Sequence, residues 1–173
     1  YAGALDLSLN VGDLVVADKI LEIDLGTTFS KSYPVNSPKL NSFKGLISQE
    51  EIKVYKGSLL TVNQVISDSS TKQELGVCHQ ALAVDMETSS LIAHSIEKQI
   101  PFVSVRAISD TMDQSLMNIS SLVDEKGEVS KVKAGWYAIT HPHIIKNLIS
   151  LRSQSQKATA NLTKILGAFL QAL

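Results

Sequence analysis

The sequence has a single cysteine, Cys78, among its 173 residues. That excludes an internal disulfide and a cysteine-rich zinc site. A reducing, cytoplasmic setting fits this cysteine usage. Aromatic residues make up only 5% of the chain, and no basic stripe is interleaved with them, so no nucleic-acid platform is expected. Neither sign of charge dominates. Sixteen basic and 17 acidic residues give a formal net charge of −1, with no general pull towards polyanions. No apolar run approaches the roughly 20 residues of a membrane-spanning helix. What is present, 44% hydrophobic and 19% charged residues, describes a globular chain with a real core. No internal repeat, low-complexity tract or second domain interrupts residues 1–173, which read as one domain. The chain opens on Tyr1 rather than Met, and Tyr1–Asp6 reads as a loop leaving a strand. The native chain is therefore expected to begin upstream.

The pattern along the chain alternates strands with helices. Val11-Gly12-Asp13 has the composition of a turn and leads into a strand at 14–18. Residues 19–33 read as strand and loop. Ser37-Pro38 begins a short helix ending near Gln49. Lys53 to Ile66 is rich in β-branched and aliphatic residues and reads as a long strand or strand pair. A helix opens at Ser69, where Ser70 and Gln73 have the spacing of a capping box. Ala81–Val84 is short and apolar, like a buried strand. Met86–Lys98 follows as a helix with Leu91, Ile92 and Ile96 among its apolar positions, and Ile100-Pro101 ends it. Phe102–Ile108 is the next strand. Strand, helix and strand over residues 81–108 form a βαβ unit, which implies a parallel pair with a right-handed crossover. Asp124–Glu128 reads as a surface turn. A last helix, about residues 143–173, carries an apolar stripe that includes Ile144, Leu148, Leu162, Ile165 and Phe169.

Two acids at strand ends carry the chemistry. In α/β sheets ligands bind at the carboxyl edge of the strands. Asp110 ends an apolar strand. It can cap the next helix, or act as a general acid if a partly dry pocket keeps its carboxyl protonated. Glu87 opens a helix. It can simply favour the helix N-terminus, or accept hydrogen bonds from paired sugar hydroxyls. Two such carboxyls in different surroundings can divide the work of acid and anion. Asp85 can cap the helix it precedes. Arg106, inside an apolar strand, needs a carboxylate partner, with Asp85 and Asp113 as candidates. Cys78-His79, His94, His141 and His143 show no metal-ligand spacing, so no metal and no cofactor are expected. No phosphate-binding Gly-x-x-x-x-Gly-Lys loop and no Gly-x-Ser-x-Gly elbow is present. Lys146, Arg152, Lys157 and Lys164 line the last helix, which has no acid from His143 to Leu173. A basic amphipathic helix can touch an anionic membrane, and a core-packing helix with a solvated basic face explains the same pattern.

These residues resemble the nucleoside phosphorylase and nucleosidase superfamily. Ala83-Val84-Asp85-Met86-Glu87 resembles its sugar-binding Val-Glu-Met-Glu motif. Pro101-Phe102-Val103-Ser104-Val105-Arg106-Ala107-Ile108-Ser109-Asp110 is similar to its Pro-Phe-x-x-x-Arg-x-x-Ser-Asp strand. Ala2-Gly3-Ala4-Leu5 and Gly12-Asp13-Leu14-Val15 are similar to its Ala-Gly-Gly-Leu loop and Gly-Asp-x-Val strand. The resemblance runs in order over about residues 1–115. It implies a three-layer α/β/α domain around a mixed, partly closed sheet. It implies cleavage of the N-ribosidic bond of a purine nucleoside, by water or by phosphate. It also implies self-association as a dimer or larger.

Carried over by residue, the resemblance implies that Asp110 protonates or hydrogen-bonds N7 of the leaving purine. Glu87 would bind the ribose hydroxyls and Met86 would pack against the sugar. Ser109 would help to position the acid, and Val65 and Ile66 would line the base pocket. The first strands of the family lie before Tyr1, and with them the phosphate loop of phosphorylases and the water-activating glutamate of nucleosidases. Ile23-Asp24 stands where some nucleosidases have a substrate-binding His before Asp. Residues 119–173 are similar to the hopanoid-associated branch, which implies a lipid-linked nucleoside losing adenine. The competing expectations are a nucleoside-binding or structural remnant of such an enzyme, and a metal hydrolase built on Asp85, Glu87 and a histidine.

Overall fold

The computed structural model describes residues 1–27, 30–35, 52–114 and 142–171, with side chains of the last helix from Arg152 onward. The expected helix ending near Gln49, the surface turn at Asp124–Glu128 and the first part of the hopanoid-like tail, up to residue 141, lie outside these residues. The described strands are β1 (Ala2–Ala4), β2 (Leu14–Ile23), β3 (Ser30–Pro34), β4 (Val54–Val62), β5 (Ala81–Asp85) and β6 (Val105–Asp110). The helices are α1 (Ser69–His79), α2 (Thr88–Glu97) and α3 (Pro142–Gln171).

The strands form one mixed sheet in the order β3-β2-β4-β5-β1-β6. β2, β4 and β5 run parallel, whereas β3 and β6 pair antiparallel with β2. The β2–β6 pairing, Leu14 opposite Ala107 and Val16 opposite Val105, joins the two ends of the β2-β4-β5-β1-β6 series. β3 is left as an appended edge. The sheet is thus partly closed, and its interior is a real core: Val15, Ile20, Leu59, Ala83 and Ile108 are buried inside it. β2 runs five residues past the expected Asp18 because both of its edges are paired along that length.

Two local expectations change. The segment at residues 81–108 does not make an adjacent parallel pair. β1 lies between β5 and β6, antiparallel to the first and parallel to the second. A strand from far along the chain has entered the crossover, and no pattern inside residues 81–108 could reveal it. Ala2–Ala4 is accordingly a strand in its own right, not a loop. The cap of α1 is Asp68 rather than Ser70. The Asp68 carboxylate accepts the Thr71 amide at 2.9 Å, satisfying one of the helix's unpaired donors.

The helices cover the sheet. α3 lays Ala158, Ile165 and Phe169 against Leu14 and Ala107, as its apolar stripe anticipates. Its Arg152, Lys157 and Lys164 are exposed. α1 buries Leu75 and crosses the chain after β1 so closely that a Cβ on Gly76 would lie 2.2 Å from the Leu5 carbonyl oxygen. α2 buries Ile92 but leaves Leu91 and Ile96 exposed. No described helix is long and apolar enough to cross a membrane.

Candidate functional site

β4, β5 and β6 all end at one cleft, of about 180 Å³. Its lining includes Asp110, Ser109, Glu87, Met86, Val65 and Ile66. Every candidate site residue read from the sequence therefore borders one space. The strand β1 makes this possible. Gly3 sits opposite Val84 on one side and Asp110 on the other. The motif strands approach each other through a residue without a side chain. A Cβ on Gly3 would come within 2.9 Å of Asp110 Oδ2.

The acid end is dry and tightly bonded. Asp110 is 6% exposed. Its Oδ1 accepts the Ser109 hydroxyl at 2.8 Å, and its Oδ2 accepts Lys72 Nζ at 2.5 Å. Lys72, 1% exposed, also donates to the carbonyls of Thr111 and Gln114, both at 3.0 Å. Asp110 is not a helix cap here, since residues 111–114 directly after it form a turn rather than a helix.

Sequence reasoning missed Lys72. A signal existed: Lys72, Leu75 and Gly76 fall on one face of α1, and that face is buried. A lysine on a buried face demands a carboxylate partner. The partner is 38 residues away, so spacing alone could not name it.

The other end is open. Glu87 is the residue at which α2 begins, and its side chain is 64% exposed. Met86 beside it is also exposed, as is Val65 across the cleft. Behind Glu87 lies a closed polar network. Asp85 is buried and accepts the Thr61 hydroxyl at 2.8 Å, the Thr88 hydroxyl and the Thr88 amide at 3.3 Å. It thereby satisfies the first amide of α2 from two residues before Glu87, which holds the cap position itself.

Arg106 reaches Asp85 at 2.8 Å and Thr88 Oγ1 at 2.5 Å. The same nitrogen, Nη2, stands 3.9 Å from Glu87 Oε2. Of its two candidate partners, Asp85 is the one it meets; Asp113 is exposed. Among the described residues no buried polar side-chain atom lacks a hydrogen bond. Cys78 is exposed on α1, and His94 lies on the surface 4.0 Å from Glu97. Neither stands at the cleft.

A small cleft at strand ends, with one buried and one open carboxylate, is the layout of a small-molecule enzyme. Residues 1–135 match the Phosphorylase superfamily. The chain belongs to that superfamily. It is similar to the 5'-methylthioadenosine/S-adenosylhomocysteine nucleosidase of Staphylococcus aureus (strain JH9), with 30% identity over 121 residues, which are 63% of this chain and 53% of that protein. The chain thus spans about half the length of the curated relatives it matches.

Among solved structures it is similar to the nucleosidase of the same name from Neisseria meningitidis in complex with methylthio-immucillin-A. There the TM-score is 0.70 and the identity 20%, covering 99% of this chain and 67% of that one. The futalosine hydrolase of Helicobacter pylori strain 26695 also has a TM-score of 0.70, with 18% identity over 99% of this chain and 65% of that one. These likenesses establish the expected α/β fold with its mixed, partly closed sheet.

Proposed function

We propose that this cleft cleaves the N-ribosidic bond of an adenine nucleoside, with Asp110 serving the purine and Glu87 the ribose. The observation that carries this reading is the convergence of the two motif acids on one cleft, one buried and one open. A purine leaves poorly while its nitrogens are unprotonated. Asp110 supplies a proton or a strong hydrogen bond at N7 as the C1'–N9 bond breaks, and the electron pair goes to the base. Acid catalysis of this kind contributes roughly 10²–10⁴-fold.

The sugar passes through an oxocarbenium-like state, as in glycoside hydrolysis. Glu87, an ionised acceptor with two oxygens, fits the adjacent ribose hydroxyls and stabilises the positive charge that develops beside it. Met86 supplies an apolar surface under the sugar. Ile66 and Val65 border the base. Ser109, bonded to Asp110 Oδ1, helps to hold the acid in place.

The relatives named above are nucleosidases and a hydrolase, which supports water as the nucleophile. Substrates with a 5'-substituent fit the relatives' names, 5'-methylthioadenosine first. The domain acts as one unit over residues 1–173 and self-associates; the exposed Leu91, Ile96 and Ile100 provide apolar surface for that contact. A cytoplasmic location fits a nucleoside substrate.

The test is release of free base from a panel of purine nucleosides by the full-length protein, with and without phosphate. Release of adenine without phosphate is expected. Strict dependence on phosphate would make the enzyme a phosphorylase. Tight nucleoside binding with no release under either condition would favour a catalytically incomplete binding protein.

A further inference from the structure

We infer that Lys72 is the positioning residue and charge partner of Asp110, an inference that rests on the proposed cleavage reaction. Three observations carry it. First, the ammonium has three hydrogens, and the structure offers it three acceptors: Asp110 Oδ2 at 2.5 Å, and the carbonyl oxygens of Thr111 and Gln114 at 3.0 Å each. Each hydrogen of the cation has one oxygen. Second, the site is expensive for a lysine. Its Nζ is removed from water on a side chain 1% exposed, and the residue lies in the first turn of α1, where the helix dipole disfavours a cation. A stabilising core residue at this position would be apolar. Third, the two carbonyls belong to the turn directly after β6, in which the Gln114 amide bonds the Thr111 carbonyl. Lys72 therefore ties the acid to the backbone that follows it.

The geometry divides the carboxylate. Lys72 takes Oδ2, Ser109 takes Oδ1, and Oδ2 lies where a side chain at Gly3 would stand, 2.9 Å from the position of a Cβ there. Asp110 is left with one orientation towards the cleft. In the reaction its proton moves to the purine as the C1'–N9 pair moves onto the base. The carboxylate left behind is then formed 2.5 Å from a fixed ammonium, in a water-poor site where such a charge acts strongly. Lys72 itself gains and loses nothing in the step. It need not touch the substrate.

The experiment compares Lys72→Gln, Lys72→Met and Lys72→Arg in the full-length protein at a temperature where all remain folded, with rates given per folded molecule. Gln keeps a donor but no charge, Met keeps only the length, and Arg keeps the charge. Loss of a charge-assisted hydrogen bond corresponds to about 10- to 100-fold in kcat. That loss is expected in the Gln and Met variants with KM changed less than about threefold. Arg should recover part of kcat. Wild-type kcat in Gln and Met, whatever their unfolding temperature, would overturn the inference.

A second readout does not depend on turnover. In a crystal structure of Lys72→Gln the Asp110 carboxylate should turn from its wild-type position. An unmoved carboxylate would overturn the positioning claim. If the wild type releases no base from any nucleoside, the proposed function fails, and the carboxylate's position still decides the structural half.

Discussion

The two ends of the cleft are built on opposite principles. At the end proposed for the purine, Asp110 is buried, both oxygens are bonded, and its cation partner is itself fully bonded. At the end proposed for the ribose, Glu87 stands in solvent, with Arg106 3.9 Å away and already committed to Asp85. The first arrangement fixes a group whose protonation matters, because proton transfer needs position before anything else. The second leaves an anion free to take up hydroxyls that arrive with the substrate. Rigidity on the ribose side has been moved one layer back, into the Asp85–Thr88–Arg106–Thr61 network. An enzyme that must hold an acid and also admit a sugar gains from separating the two tasks.

The largest effect should come from the buried end. Asp110→Asn keeps an oxygen for Lys72 and the same volume but removes the counter-charge of a buried ammonium. The unfolding midpoint should therefore fall, with the loss of roughly 3–5 kcal/mol of a broken buried pair, and rates are compared per folded molecule. Turnover should fall about 10²- to 10⁴-fold. Steady-state release of base, set beside thermal unfolding, measures both. Equal turnover would remove Asp110 from the chemistry. At the open end, Glu87→Gln should lower kcat/KM by about 10- to 100-fold, the value of a charge-assisted hydrogen bond. Because Glu87 is exposed, the unfolding midpoint should stay put. A loss of stability equal to that of a buried charge would contradict the contrast between the ends.

Gly3→Ala tests how closely the purine end is packed. A methyl group 2.9 Å from Asp110 Oδ2 forces the carboxylate or β1 to move. Overpacking of this kind costs about 1–3 kcal/mol, and activity should fall with it while Glu87-dependent affinity for ribose analogues is kept. Calorimetry with such an analogue separates the two.

The smallest effect should come from Asp68→Ala, which loosens the start of the helix that carries Lys72. Hydrogen bonds from Ser70 and Thr71 hold the Asp68 carboxyl below its usual value. Its stabilising contribution is therefore present above the ordinary carboxylate range and lost as the pH falls through the lowered value. The variant should melt slightly below wild type at neutral pH, and the difference should vanish in strong acid. A difference that grows on acidification would have the wrong sign.

Much of this site was legible because its residues lie in two short motifs at strand ends. Alternation and apolar runs placed Glu87 after β5 and Asp110 at the end of β6, and the resemblance supplied Val65, Ile66, Met86 and Ser109. What escaped was long-range. Lys72 looks like any solvated helix lysine until the fold brings Asp110 to it across 38 residues. The insertion of β1 between β5 and β6, which run antiparallel rather than as the expected parallel pair, is equally invisible locally, because both arrangements have the same strand–helix–strand pattern. The cap at Asp68 was displaced by two residues. Asp, Ser and Thr at 68–71 are all good caps, and only the backbone geometry chooses between them.

The most direct test of the account is a crystal structure of the full-length protein with an unreactive adenine nucleoside analogue. The purine N7 should lie within hydrogen-bond distance of Asp110, with the ribose hydroxyls on Glu87 and Met86 against the sugar. A ligand seated with its sugar at Asp110, or bound instead in the neighbouring polar pocket of Glu22, Asp24 and Asn63, would contradict it.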